Sequence, residues 1–211
     1  MSSRWDTGRT EAFSDGVFAI ATTLLVLDLA VPESEFHHLW HGIGHEWPGY
    51  LGYATSFLTI GGIWLGHHGI FRRLQYANGT VIRINLLLLM AVAFLPFPTR
   101  LMAEAIRDSD AERAAVVFYG ISLFVTFALI SALWGAILRD RQLLKPDVSD
   151  RDINAITLAA TPHTAAFLGA TVLAVIVPKV AAFGYLVIAV IAVFRARGEE
   201  ATGTEPAQGS N

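Results

Sequence analysis

Asp15, His67 and His68 each stand inside a long apolar run of this sequence, where an ionisable side chain is costly and therefore marks a network or a function. Ser14, Trp64 and Asn85 fall at the same depth once successive runs are taken in opposite directions. Together the six supply donors and acceptors for a hydrogen-bonded belt between helices. Two sharper chemistries are open to such a set, a metal site and a proton relay. The metal site is disfavoured, because no His-Glu-x-x-His pattern is present and adjacent His67 and His68 point about 100° apart on a helix. A relay from Asp15 through His67 or His68 stays open and would suit a proton-coupled secondary transporter. His38, His41 and His45 would share a helical face outside the apolar runs. That spacing permits adventitious zinc binding, but a solvated polar face is its ordinary meaning. In the second half only His163, after Pro162, is comparable. No nucleophile–base pair or metal motif suggests an intramembrane hydrolase.

Such residues need a membrane around them. Of the 211 residues, 54% are hydrophobic and 16% charged, and the mean hydropathy is +0.50, outside the usual range of soluble domains. Runs able to cross a hydrocarbon core of about 30 Å lie at Glu11 to Val31, Pro48 to Phe71, Thr80 to Met102, Ala114 to Leu138, Ile153 to Val177 and Val180 to Phe194. The last two, parted only by Pro178 and Lys179, are expected to form a tight hairpin rather than one broken helix. The expectation is an all-α membrane protein with six spans over residues 1–197. A polar cytoplasmic tail over 198–211, too poor in apolar residues to bury anything, is expected to be disordered.

Basic residues set the orientation, because cytoplasmic loops retain them. Arg4, Arg9, Arg72, Arg73, Arg83, Arg139, Arg141, Lys145, Arg151, Arg195 and Arg197 fall on the amino-terminal side, against Arg100, Arg107, Arg113 and Lys179 on the other. Both termini are thus expected in the cytoplasm and the chain in the plasma membrane. Arg4 and Arg9 precede an apolar run as in a secretory signal, but Glu11 and Asp15 interrupt that pattern and no small-residue cleavage site follows. Ser149 and Asp150 are candidate caps for the fifth helix. A net charge of -3 gives no footprint for nucleic acid, and zero cysteines remove disulfide and thiolate chemistry.

In the first span Ile20, Leu24 and Leu27 follow i, i+4, i+7 and form one apolar stripe, with Thr23 beside it. Periodicity alone allows this stripe either to pack on a neighbouring helix or to face an axis. Arg9-x-x-x-Phe13-Ser14-Asp15, followed by Gly-Val-Phe-Ala-Ile20-Ala-Thr-Thr23-Leu-Leu-Val-Leu27, closely resembles the signature helix of the transmembrane protein 175 family of potassium channels. Trp64-x-x-His67-His68-x-x-Phe71 and the run from Asn85 through Phe94-Leu95-Pro96-Phe97-Pro98-Thr99 are similar to the continuation in prokaryotic members. Beyond the third span only hydropathy supports the likeness.

The resemblance implies a six-helix subunit, three identical partners in a homotetramer, and a pore lined by the first helix. It implies that Ile20 is the narrowest apolar ring, that Leu24 and Leu27 are further rings, and that Thr23 bears on potassium preference. Arg9, Phe13, Ser14 and Asp15 are the signature, with its polar members bonded to the second and third helices. No cofactor is implied; potassium is the permeant species, and membrane lipid surrounds the assembly. The physical expectation is a dry constriction that conducts when it widens and hydrates, with a leaky preference for potassium. Asp28, with Glu33 and Glu35, would draw cations to the outer mouth, although Asp28 is equally readable as a solvated helix-end residue. No Arg-rich helix resembles a voltage sensor.

Overall fold

Asp6 starts the first helix: its carboxylate accepts from the Gly8 amide at 2.9 Å, satisfying one of the amides a helix start leaves open. The helix therefore begins at Thr7, a turn before the apolar run. In the structure, a computed structural model, residues 5–106, 108 and 110–202 are described, side chains 159–164 and 194–202 excepted. His163 and the tail beyond Thr202 fall outside that description.

Among the described residues the chain forms α1 (Thr7–Leu24), α2 (Leu39–His45), α3 (Trp47–Arg72), α4 (Gly79–Phe94), α5 (Pro96–Ala105), α6 (Glu112–Arg139), α7 (Asp150–Ala174) and α8 (Pro178–Thr202), with no strand. Local chemistry explains the boundaries. Asn78 Oδ1 accepts from the Thr80 and Val81 amides, both at 3.0 Å, and opens α4. Ser149 and Asp152 form a reciprocal capping box at the start of α7. Pro48 and Pro96 sit in first turns, where a missing N–H costs little. The expected third span is broken at Leu95, because Pro96 and Pro98 cannot donate to the carbonyls a turn back. The fifth and sixth runs are two helices packed on each other, joined over 175–177. The sixth helix continues past Gly198 to Thr202, through the good helix formers Glu199, Glu200 and Ala201, so the polar tail is helical in its first turn.

Helix α1 packs on α3 and α4; α3 packs on α5 and α8; α6 joins α4 and α5 to α7. On the amino-terminal side, backbone pairing stitches three segments together. Trp5 and Ala77 exchange bonds of 2.9 and 3.1 Å, and the Gln75 amide reaches Leu143 O at 2.8 Å. Large apolar side chains lie both inside, as at Ile60, Leu88 and Leu123, and largely exposed, as at Met90, Leu158 and Ile176. That much exposed apolar surface requires lipid or further protein to cover it. By length and composition Thr7–Asp28, Gly79–Ala105 and Glu112–Arg139 can cross a membrane; Ala165–Ala174 and Pro178–Val193 are shorter apolar helices.

Candidate functional site

Helix α1 has two unlike faces. Ser14, Phe18, Ala21 and Leu25 are buried against the rest of the subunit. On the opposite side Phe13, Ile20, Leu24 and Leu27 are 60%, 60%, 42% and 73% exposed, and Arg9 and Thr23 are exposed with them. The stripe read from the sequence is thus neither core nor packed on a helix of its own subunit. Thr23 donates its hydroxyl to Ile20 O at 2.9 Å, so its proton is spent within the helix while its lone pairs remain available on the open face.

The side of α1 turned to its own subunit carries the belt in three separate units, two hydrogen-bonded and one a close His–Glu contact. In the first, Ser14 Oγ donates to Thr10 O at 2.9 Å, which leaves it to accept from Asn85 Nδ2 at 3.0 Å. Asn85 Oδ1 in turn accepts from His67 Nε2 at 2.8 Å. This direction assigns the His67 proton to Nε2. All three side chains are buried, and the His67 ring lies against Phe18 and Phe71, with centroids at 5.4 and 4.3 Å. In the second unit Trp64 Nε1 donates to Asp15 Oδ1 at 2.8 Å. In the third His68 Nδ1 lies 2.7 Å from Glu11 Oε1.

Glu11 is the member that sequence reasoning overlooked, having placed it at the span boundary. A signal was present. Glu11 and Asp15 are an i, i+4 pair on α1, and Trp64 and His68 an i, i+4 pair on α3; antiparallel helices match two such pairs rung for rung. The same geometry weakens the relay. Asp15 accepts from an indole N–H, which can donate but cannot pass a proton on, and no described hydrogen bond joins Asp15 to either histidine.

A second polar network lies between α3, α5 and α6. Thr99 Oγ1 donates to Leu95 O at 2.7 Å, so Ser56 Oγ must donate to Thr99 at 2.6 Å and Tyr119 to Ser56 at 2.8 Å. Tyr185 donates to Thr171 Oγ1 at 3.4 Å, and its ring meets Tyr119 edge-on at 5.5 Å. Gly120 makes room for it, since a Cβ there would overlap the Tyr185 hydroxyl. Hydroxyls of this kind give no sequence signal, because an isolated Ser or Thr in an apolar helix usually bonds its own backbone.

On the far side, a 3-10 turn over Leu25–Asp28 ends the first helix. Asp28 is no free carboxylate: Arg100 Nη1 lies 3.9 Å from Oδ1, and Arg100 Nε donates to Glu104 Oε1 at 2.8 Å. Of the expected histidine face, His38 ends a 3-10 turn and only His41 and His45 stack, at 5.8 Å, with His41 Nδ1 3.2 Å from Glu35 Oε2. Among the described residues no three ligating side chains converge on a metal position.

These features lie where the chain matches known proteins. A family model described as "Endosomal/lysosomal potassium channel TMEM175" matches residues 9–96, which hold most of α1, the belt and the α4–α5 break. A potassium channel of Streptomyces collinus is 42% identical over 144 residues, covering 68% of this chain and 70% of the relative. The chain belongs to the TMEM175 family. A crystal structure of a lysosomal potassium-selective TMEM175 homolog from Chamaesiphon minutus superposes with a TM-score of 0.81 at 35% identity, covering 90% of this chain and 97% of that one. A Gallus gallus relative named endosomal/lysosomal proton channel TMEM175 is 35% identical over 148 residues, covering 65% of this chain and 30% of its own. Proteins of this TMEM175 group are ion channels of membranes, not enzymes.

Proposed function

We propose that this TMEM175-family protein is a potassium-favouring cation channel in which four copies surround a pore lined by α1. Six spans cross the plasma membrane, with both termini cytoplasmic as the Lys and Arg distribution favours. The observation that carries the reading is the exposed face of α1. Ile20, Leu24 and Leu27 stand clear of their own subunit on a helix whose other face is fixed by buried hydrogen bonds. Four such faces around an axis form a dry constriction, in which an ion sheds part of its hydration with no carbonyl cage to replace it. Ile20 forms the narrowest ring, Leu24 and Leu27 form further rings, and Thr23 offers hydroxyl lone pairs between them. Potassium dehydrates more readily than sodium, so the ring favours potassium without excluding sodium.

Arg9, Phe13, Ser14 and Asp15 set the pose of α1, with Ser14 and Asp15 bonded to α4 and α3. The polar units belong to this brace rather than to a relay. Asp28, shared with Arg100, contributes at the outer mouth.

Single-channel recording of purified protein in a planar bilayer under a potassium gradient tests the reading, with a pH gradient as the second axis because animal relatives are named proton channels. Ile20→Ala should raise unitary potassium current and admit more sodium, and Leu27→Ala should raise the current less. Unchanged current in both variants would remove α1 from the pore.

A further inference from the structure

The two ends of the exposed stripe are held in different ways. At the level of Ile20 the reverse face of α1 is packed: Phe18 and Ala21 are buried and the Phe18 ring meets His67 at 5.4 Å. At the level of Leu27 the winding has changed to 3-10, whose hydrogen-bond geometry is poorer and which often marks a hinge. Leu25 is the only residue of that turn to enter the core. Behind the turn is a cavity of about 310 Å³, bounded by Leu25, Leu27 and Asp28 on one side and by Tyr53, Arg100 and Ala103 on the other. The turn touches both α3 and α5 around this space, but no side chain fills it. The charged link across it is the Asp28–Arg100 contact at 3.9 Å.

Arg100 is itself well placed as an anchor. Its Nε is held by Glu104 one turn on in α5. The preceding residue, Thr99, is pinned to α3 and α6 through Ser56 and Tyr119. The guanidinium thus joins a well-braced helix to a turn that only Leu25 ties into the core, across an unfilled space.

We propose that Arg100 is a positioning residue for the outer ring of the pore: through Asp28 it holds the 3-10 turn that carries Leu27, making Leu27 the yielding constriction and Ile20 the fixed one. This rests on the reading of α1 as the pore lining. Breaking the pair frees the turn to move into the cavity and carries Leu27 away from the axis, while Ile20 stays in place.

The chain has no cysteine, so a single introduced thiol reports one position. Reconstituted full-length Leu27→Cys and Ile20→Cys channels are treated with neutral methyl methanethiosulfonate, and the rate is read from the change in potassium current. Arg100→Gln and Asp28→Asn are then added separately to each. Both should speed modification at Leu27→Cys by about two- to fivefold, the range expected on losing a half-exposed ion pair, and leave Ile20→Cys unchanged. Ala103→Leu, which fills the cavity without touching the pair, should slow modification at Leu27→Cys.

The shared sign of the two pair-breaking variants is the signature of positioning, because they change local charge in opposite directions. Opposite signs at Leu27→Cys would mean that Arg100 acts only as a charge on the thiol, and would overturn the proposal. Equal rates in all backgrounds, with current still responding to modification at both positions, would overturn it while leaving the pore reading intact. Current that responds at neither position would refute the pore reading, and this proposal with it.

Discussion

Removing Asn85 tests whether the buried face of α1 is braced as the geometry indicates. Asn85→Ala deletes contacts of 2.8 Å to His67 and 3.0 Å to Ser14 at a fully buried site. Ser14 loses only an incoming donor and keeps its own bond to Thr10 O. His67 loses the acceptor for its Nε2 proton and is left with an orphan donor. An orphaned buried donor costs about 1–3 kcal/mol in protein interiors, whereas interhelical hydrogen bonds in membranes average about 0.6 kcal/mol and reach about 1.7. The expected loss for Asn85→Ala is therefore about 1–2 kcal/mol per subunit. Ser14→Ala leaves the buried Asn85 Nδ2 donor without its acceptor and should likewise cost about 1–2 kcal/mol. Since the two variants remove one shared bond, the double variant should cost less than their sum by about 0.5–1 kcal/mol. Denaturant titration in mixed micelles, followed by tryptophan fluorescence, measures all four corners of the cycle. Additivity within about 0.3 kcal/mol would refute the chain of bonds from His67 through Asn85 to Ser14.

Two further outcomes are expected. Gly120→Ala should destabilise the fold by about 1–3 kcal/mol through overpacking, and the cost should shrink in a Tyr185→Phe background because the phenolic oxygen is the first atom the new methyl meets; equal cost in both backgrounds by thermal unfolding would refute the contact. The Ser149 hydroxyl and amide hold the Asp152 carboxyl below the usual carboxylate range, and a lowered folded-state value adds stability above the unfolded value of about 4 that is lost as pH falls through the folded one. Ser149→Ala should thus be destabilising at neutral pH, with the gap from the parent narrowing below about pH 4; a gap independent of pH would show that Asp152 plays no part.

Residues that break a local rule were the ones legible in the sequence. Asp15, His67 and Asn85 stand out because hydrocarbon penalises them, and the alternation of chain direction was enough to bring Asn85 to both Ser14 and His67. Their exact pairing was not legible. Whether Asp15 meets a histidine or Trp64 depends on helix rotation, which hydropathy does not fix, and Glu11 was hidden by its place at the edge of an apolar run. The Tyr119–Ser56–Thr99 network was invisible for a different reason: its members are uncharged, and their partners lie 43 and 63 residues apart in the chain. The break at Leu95 had an explicit signal in Pro96 and Pro98. The exposure of the Ile20 stripe had none, because an apolar residue facing lipid, a pore or a partner looks the same in one dimension.

The proposed four-fold pore implies a preference weaker than that of a carbonyl filter. A helix spends its carbonyl oxygens on its own amides, so a conduit lined by α1 presents side chains alone to the ion. Thr22 and Thr23 deepen this limit, because both hydroxyl protons go to carbonyls of the preceding turn. What Thr23 retains is lone pairs, directed where an acceptor suits a cation and repels an anion. Four such oxygens beside the Leu24 ring can replace only a few waters of hydration. The cost of losing the remainder, smaller for potassium than for sodium, then falls on the apolar ring itself. Selectivity in this arrangement is set by how tightly Ile20 closes, and it changes with any movement that widens the ring. A channel built this way couples its gate to its selectivity, and the rigid hydrogen-bonded face behind Ile20 is what keeps that coupling from drifting.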